Sequence, residues 1–200
     1  MTITVGIYLF PEVENLDFAG PFEVFFTAAR MHQREHPRED LLFRPLLIAE
    51  EPGPVGARGD VQILPHSTFT DHPPLDVLLI PGGVISEVMK KTPVIEWIRR
   101  ESQRATYTVS VCTGAFLLAA AGLLKGKEAV THWEDMEDLK KLFPEVHLAH
   151  GARWVDGGNL ITAAGISAGI DVALHLVERL GGQELALRTA RQMEYSWNRG

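Results

Sequence analysis

Strand-like and helix-like segments alternate along the sequence, which predicts an α/β fold, a three-layer sandwich with a mostly parallel central sheet. Residues 76–80, Asp-Val-Leu-Leu-Ile, form a continuous apolar run that ends at Pro81-Gly82-Gly83. Such a strand, buried on both faces, is typical of the middle of a parallel sheet. We therefore expect helices on both faces of this sheet.

The other predicted strands are short runs rich in β-branched and apolar residues. They are residues 2–10, 43–49, 61–64, 107–111, 153–155 and 159–163. The last two are joined by Asp156-Gly157-Gly158, a turn signal of hairpin length.

The predicted helices show apolar residues at helical spacing, with charged residues on the opposite face where the helix reaches solvent. They are residues 17–34, 92–104, 113–121, 134–142, 167–180 and 183–194. The chain shows no internal repeat, low-complexity tract or linker, so residues 1–200 are expected to form one domain.

The amino-acid composition excludes several classes of protein. The chain has 200 residues, 46% of them hydrophobic, and one cysteine, Cys112. A single cysteine forms no internal disulfide and supplies too few thiolates for a zinc ribbon or an iron–sulfur cluster, which fits a reducing cytosol. The start of the sequence resembles no signal peptide, and the longest apolar run, residues 115–124, is too short to span a bilayer. We therefore expect a cytoplasmic protein without a membrane partner.

The net charge of the chain limits the kinds of partner that we expect it to bind. The 19 basic and 26 acidic residues give a formal net charge of -7. A nucleic-acid partner would need a basic patch, so we expect small-molecule or protein partners instead.

The cysteine lies at the predicted junction of a strand and a helix. Residues 110–114, Ser-Val-Cys-Thr-Gly, match a nucleophile elbow with cysteine in place of serine, because small residues flank the crowded turn. Amide dipoles at a helix N-terminus are expected to lower the pKa of the Cys112 thiol. The alternative is an inert, buried cysteine.

Asp17 follows the first strand, at the start of the first helix. It can simply be a helix N-cap, a place that aspartate favours. It also lies at the carboxyl end of a strand, as Cys112 does, where ligands bind in open parallel sheets and where a carboxyl group can move protons for a thiol. Both interpretations stay open at this point.

Backbone amides near the same sheet edge are candidates for substrate or oxyanion binding. Gly82 and Gly83 can bring N–H groups close to a ligand, or can form only a tight turn. Thr113 adds a further N–H group, and its hydroxyl can hydrogen-bond in the site or cap the helix.

The histidines give weaker signals. His132 is an accessory candidate, as a general base or as a structural side chain. His147 and His150 have no third ligand at metal spacing, so we expect no metal site. Residues 165–169 are interpreted as structural, and Asp171 with His175 as a pair four residues apart on one helix.

Three motifs, residues 16–25, 80–83 and 109–115, resemble the ThiJ/PfpI superfamily, and the resemblance extends over essentially the whole chain. It implies a flavodoxin-like, class I glutamine-amidotransferase-like fold. Asp17, the Cys112-Thr113 pair, residues 131–133 and residues 165–171 are similar to the isonitrile hydratase branch and to the sensor domains of AraC-type regulators.

Departures from other branches also carry information. Thr113 stands where the intracellular-protease branch has a histidine, and residues 165–171 lack the His-x-Glu pair of glutamine amidotransferases. The glyoxalase/deglycase branch usually has a glutamate at the place of Asp17, and stays an alternative. AraC-type regulators append a basic helix-turn-helix region, and the sequence ends at Gly200 without one, so a free-standing enzyme is expected.

The resemblance implies hydration of an isonitrile to an N-substituted formamide, with Cys112 as nucleophile and Asp17 as proton donor and base. It implies no metal or organic cofactor, a small-molecule substrate and a homodimer. The alternatives are a glyoxalase or deglycase that acts on small dicarbonyls, with His132 as base, and a non-catalytic redox or ligand sensor in which Cys112 is oxidised.

Overall fold

The structure, a computed structural model, describes residues 2–200. The strands are β1 (Ile3–Leu9), β2 (Phe43–Ala49), β3 (Val55–Ala57), β4 (Val61–Ile63), β5 (Ser67–Thr68), β6 (Val77–Ile80), β7 (Tyr107–Val111), β8 (Glu128–Ala129), β9 (His147–Leu148), β10 (Trp154–Asp156) and β11 (Leu160–Ala163). The α-helices are α1 (Asn15–Glu35), α2 (Thr92–Arg104), α3 (Gly114–Ala120), α4 (Met136–Leu142), α5 (Ala168–Gly181) and α6 (Gln183–Gln192).

Seven strands form the central sheet in the order β10-β11-β7-β6-β1-β2-β5. All neighbouring strands run parallel except β10 and β11, which pair antiparallel. These two strands form the predicted hairpin. The apolar run of β6 is buried along its whole length between β1 and β7. The prediction for residues 76–80 is therefore confirmed.

Helices cover the sheet in two groups. Helices α1, α5 and α6 pack against one another, and α2 packs against α3. The buried aromatic residues mark both layers: Phe25 of α1 lies 5.5 Å from Phe43, ring centre to ring centre, and Trp97 of α2 lies 5.6 Å from Tyr8. The sheet is thus the middle layer of a sandwich. None of the helices within residues 2–200 has the length and apolar character needed to cross a bilayer.

Several predicted boundaries and pairings are corrected. The strand predicted at 61–64 is exposed and lies outside the central sheet, because Val61–Ile63 pairs antiparallel with Val55–Ala57 in a separate ribbon. Strands β3, β5, β8 and β9 were not predicted, since each has only two or three residues. The helix predicted at 134–142 begins as a 3₁₀ turn, Trp133–Asp135, before α4.

The predicted Asp171–His175 helix pair is wrong. Asp171 is fully buried and accepts hydrogen bonds from Arg153 Nε at 2.6 Å and from the Asn198 N–H at 2.9 Å. His175 Nε2 instead lies 2.7 Å from Asp156 Oδ2. A buried carboxylate needs a charged partner, and Asp171 finds one in Arg153 rather than one turn along its own helix.

Replacement of Phe43 tests the packing of α1 on the sheet. Phe43 is fully buried, so Phe43→Ala is expected to lower the free energy of unfolding by about 3–5 kcal/mol. The control is Phe26→Ala, which removes a ring that is 40% exposed and is expected to cost less than about 1 kcal/mol. Urea denaturation measures both values, and equal losses would contradict this packing.

Candidate active site

Cys112 occupies the turn between β7 and α3. Its backbone has a φ of 55°, a left-handed conformation that a residue with a Cβ seldom adopts. Its N–H donates to the carbonyl oxygens of Ala163 and Ala164, at 3.0 and 3.1 Å, and its carbonyl accepts from Thr131 Oγ1 at 2.8 Å. These bonds hold the predicted nucleophile elbow in place.

The elbow requires a glycine directly after Thr113. A Cβ at Gly114 would collide with the carbonyl oxygen of Ile80, which belongs to the neighbouring strand β6. Because that obstacle is backbone, no side-chain rotation would relieve it. The small residue at the plus-two position of the motif therefore has a steric cause.

Asp17 lies in the first turn of α1 and is fully buried. It is not the N-cap: that place belongs to Glu14, whose Oε1 accepts from the Asn15 N–H at 3.1 Å. Asp17 Oδ2 accepts from the Gly82 N–H at 2.9 Å. Its other oxygen, Oδ1, is buried without a partner of good hydrogen-bond geometry among the described residues, although the Cys112 thiol is close enough to lower the Asp17 pKa as a hydrogen-bond donor.

Burial dominates the titration of this carboxyl group. It raises the pKa of Asp17 to about 7, the Gly82 hydrogen bond lowers it, and the charge of Glu14 raises it further. Near neutral pH the Asp17 carboxyl group can therefore both donate and accept a proton.

The surroundings of Cys112 contradict the prediction that its thiol has a lowered pKa. Burial, together with the negative charge of Asp17, raises the pKa of the thiol to about 12. The N–H groups of Thr113 and Ile166 lie near the sulfur and lower the pKa, but by less. A single helix end does not outweigh the desolvation of a thiolate beside a carboxylate.

Thr113 and Gly83 are joined by two hydrogen bonds. Thr113 Oγ1 accepts from the Gly83 N–H at 2.9 Å and donates to the Gly83 carbonyl at 2.9 Å. Gly83 has a φ of 144°, and a Cβ there would collide with the carbonyl oxygen of Glu12. The Thr113 hydroxyl thus fastens the loop after β6 to the elbow and is not an N-cap for α3.

The oxyanion role predicted for the two glycines is corrected on this geometry. The N–H of Gly82 donates to Asp17 and that of Gly83 donates to Thr113, so neither is free to bind a ligand. A Cβ at Gly82 would lie 2.8 Å from Asp17 Oδ2 and 2.7 Å from the Thr113 nitrogen. The two glycines position Asp17 and Thr113, and the amides that face the sulfur are those of Thr113 and Ile166.

Ile166 is the site residue that the sequence interpretation missed, because residues 165–169 were taken as structural. Its φ is 33°, which is unfavourable for a β-branched side chain, and its N–H lies near the Cys112 sulfur. Gly165 before it is equally constrained, since a Cβ there would collide with the His132 ring. In the sequence, only the run of small residues around Ile166 indicated that the backbone packs closely here.

His132 reaches the same cleft as Cys112. The cleft has a volume of about 320 Å³ and is lined by Glu14, Arg58, Gly83, Cys112, Thr113, His132, Glu134, Asp135 and Ile166. His132 Nδ1 lies 3.5 Å from Asp135 Oδ2 and 3.4 Å from the Glu134 nitrogen. Within residues 2–200, no group of three His, Cys, Asp or Glu side chains is arranged to hold a metal ion.

The pH dependence of stability tests the Asp17 titration. Its pKa is about 7 in the folded protein, against an ordinary value of 3.8 for an aspartate side chain. Between about pH 4 and 7 only the folded protein keeps this proton, so the group's contribution to the free energy of unfolding falls as pH rises, by a few kcal/mol. Asp17→Asn is expected to remove this fall, which urea denaturation across that range measures. Parallel pH curves for the two proteins would contradict the assignment.

Substitution of Thr113 tests the contact with Gly83. Thr113→Val leaves the N–H and the carbonyl of Gly83 unpaired and is expected to lower the free energy of unfolding by about 1–3 kcal/mol. Thr113→Ser keeps the hydroxyl and is expected to stay within about 1 kcal/mol of the unsubstituted protein. Equal losses in the two variants would show that the hydroxyl is not the stabilising group.

Comparison with known proteins agrees with this architecture. Isonitrile hydratase from Pseudomonas putida is 38% identical over 197 residues, which cover 98% of this chain and 80% of that protein. The HTH-type transcriptional regulator GbdR from Pseudomonas aeruginosa is 26% identical over 96% of this chain, which spans 50% of the regulator.

A crystal structure of a ThiJ/PfpI family protein from Pseudomonas syringae superposes with a TM-score of 0.85 at 28% identity, covering 99% of this chain and 77% of that chain. The flavodoxin-like fold predicted from the motifs is thereby confirmed. The DJ-1/PfpI family profile matches residues 3–179. The chain belongs to the DJ-1/PfpI family.

Proposed function

We propose that this protein hydrates isonitriles to N-substituted formamides. The observation that carries the proposal is the Asp17 carboxyl group, which is buried beside the Cys112 thiol and has a pKa of about 7. Such a group can relay a proton in either direction for a neighbouring nucleophile. The 38% identity to isonitrile hydratase supports this choice within the family.

The first step forms a covalent intermediate. Asp17 accepts the thiol proton while the Cys112 sulfur forms a bond to the terminal carbon of the isonitrile, R–NC. Asp17 then delivers that proton to the same carbon. The product is a thioimidate, R–N=CH–S-Cys112, and the Asp17 carboxylate is regenerated. This order of events follows from a thiol whose pKa is raised, because the thiol needs a base at the moment of attack.

The second step consumes water. Asp17 takes a proton from a water molecule whose oxygen bonds to the thioimidate carbon, and the proton passes to the nitrogen. The carbon–sulfur bond then breaks, and the hydroxyl proton returns to the Cys112 sulfur through Asp17. The balance is R–NC plus water to R–NH–CHO. The amides of Thr113 and Ile166 stabilise charge on the sulfur as it leaves.

The position of His132 favours a second candidate, a glyoxalase or deglycase. His132 lines the same cleft as Cys112 and can act there as a base on a small dicarbonyl. Lactate formed from methylglyoxal would identify this activity.

The similarity to GbdR favours a third candidate, a non-catalytic sensor. A sensor would be identified by peroxide-dependent oxidation of Cys112 in a protein that turns over neither isonitriles nor dicarbonyls. We further propose a cytoplasmic homodimer that works without metal or organic cofactor, as the resemblance and the composition imply.

Turnover of an alkyl isonitrile tests the proposed reaction. The unsubstituted protein is expected to release the formamide, and Cys112→Ser and Asp17→Asn to lose about a thousandfold or more in kcat/KM. Glu184→Gln, an acid-to-amide change on the exposed surface of α6, serves as the matched control and is expected to keep full activity.

Chromatographic detection of the formamide and circular dichroism of each variant complete the test. No formamide from a folded protein with unmodified Cys112 would refute the proposed reaction. Full activity in folded Cys112→Ser would refute the covalent mechanism.

A further inference from the structure

The cleft around Cys112 carries an excess of negative charge. Three carboxyl groups line it, those of Glu14, Glu134 and Asp135. Against them stands one guanidinium group, that of Arg58, which lies 3.1 Å from Glu14 Oε2 and is therefore already paired. Among the described residues, the only basic group within 4.0 Å of Glu134 and Asp135 is the His132 ring, whose Nδ1 lies 3.8 and 3.5 Å from their oxygens.

The negative charges in and beside the cleft act on the sulfur, since those of Asp17 and Asp135 raise the pKa of the Cys112 thiol. The side chains of Glu134 and Asp135, which line the cleft, are 63% and 36% exposed to solvent. Asp17, next to Cys112, is fully buried, and its Oδ1 has no partner of good geometry among the described residues. The Cys112 sulfur therefore lies in a cleft lined by three carboxyl groups, and the Asp17 carboxyl group lies next to it.

The spaces next to the cleft do not reverse this charge. A groove of about 430 Å³ that shares Gly83, Thr113 and Asp135 with the cleft adds Asp138 and Lys141, which offset each other. A cavity of about 700 Å³ that shares His132 and Ile166 adds Glu137, His150 and Arg153. Arg153 is tied to buried Asp171 at 2.6 Å, so its charge is also balanced.

We propose that the cleft selects substrates by charge, accepting neutral and cationic N-substituents and rejecting those that carry a carboxylate. The cause is the potential of Glu134 and Asp135 in the cleft that contains Cys112, where an anion is repelled and a cation attracted. The identity of the substrate as an isonitrile rests on the proposed function; the charge selection does not.

The single cysteine allows a test that is independent of any turnover. Three methanethiosulfonates are used: a neutral methyl, an anionic sulfonatoethyl and a cationic trimethylammonioethyl reagent. The Cys112 sulfur forms a disulfide with the sulfenyl sulfur of the reagent, the reagent's S–S bond breaks, and methanesulfinate leaves. Intact mass spectrometry gives the rate for each reagent, which is divided by its rate with 2-mercaptoethanol.

The corrected rate with the anionic reagent is expected to be about tenfold or more below that with the neutral reagent, and the cationic reagent is expected to equal or exceed the neutral one. Glu134→Gln combined with Asp135→Asn should bring the three corrected rates to within about threefold, and high salt should act in the same direction. Glu184→Gln, with an equal charge change outside the cleft, should leave the ratios unchanged. Equal corrected rates in the unsubstituted protein, or an unchanged preference in the double variant, would overturn the proposal.

Matched isonitriles then apply the test to catalysis. Alkyl isonitriles of one chain length that end in methyl, carboxylate or trimethylammonium are compared by kcat/KM, with the carboxylate expected about tenfold or more below the methyl compound. Turnover of the methyl compound with no charge preference would refute the charge selection and leave the hydratase function standing. Absence of turnover with all three, together with the expected reagent ratios, would refute the hydratase function and leave the charge selection standing.

Discussion

At Cys112 the chain passes from β7 to α3 through a left-handed turn, with a φ of 55°. For a residue with a side chain this conformation costs on the order of 1–3 kcal/mol, so the surrounding structure must hold it. The hydrogen bonds from the Cys112 N–H to Ala163 and Ala164 come from the parallel pairing of β7 with β11. The close approach of Gly114 to Ile80 comes from the pairing of β7 with β6. The elbow thus depends on three adjacent strands.

The second requirement is the burial of Asp17. Asp17 lies on α1, which follows β1, and β1 is the neighbour of β6 in the sheet. The Gly82 N–H, just after β6, donates a hydrogen bond to the Asp17 carboxyl group. Desolvation of that group raises its pKa, and its charge in turn opposes ionisation of Cys112. The nucleophile is therefore a thiol next to its own base. The positions of the Asp17 and Cys112 side chains are fixed by Gly82, Gly83 and Thr113.

The order of the longer elements and the elbow itself were predictable, because each has a local pattern: the apolar run before Pro81, the small residues around Cys112, and the glycines of the hairpin turn. The short strands were not, since Val55–Ala57 becomes a strand only through its pairing with Val61–Ile63. Ile166 was missed because its segment is held by tertiary packing, in which Gly165 lies against the ring of His132, a residue far away in the sequence. The thiol pKa was mispredicted because desolvation is a property of the packed interior and not of the helix end.

The proposed mechanism requires that Asp17 controls the proton of Cys112. The rate of alkylation of Cys112 by iodoacetamide, followed by intact mass across a range of pH, reports the titration of the protein's only thiol. The midpoint is predicted to lie well above the ordinary thiol range in the unsubstituted protein and to fall in Asp17→Asn, because a neutral amide no longer opposes the thiolate charge. The same midpoint in both proteins would contradict the claim.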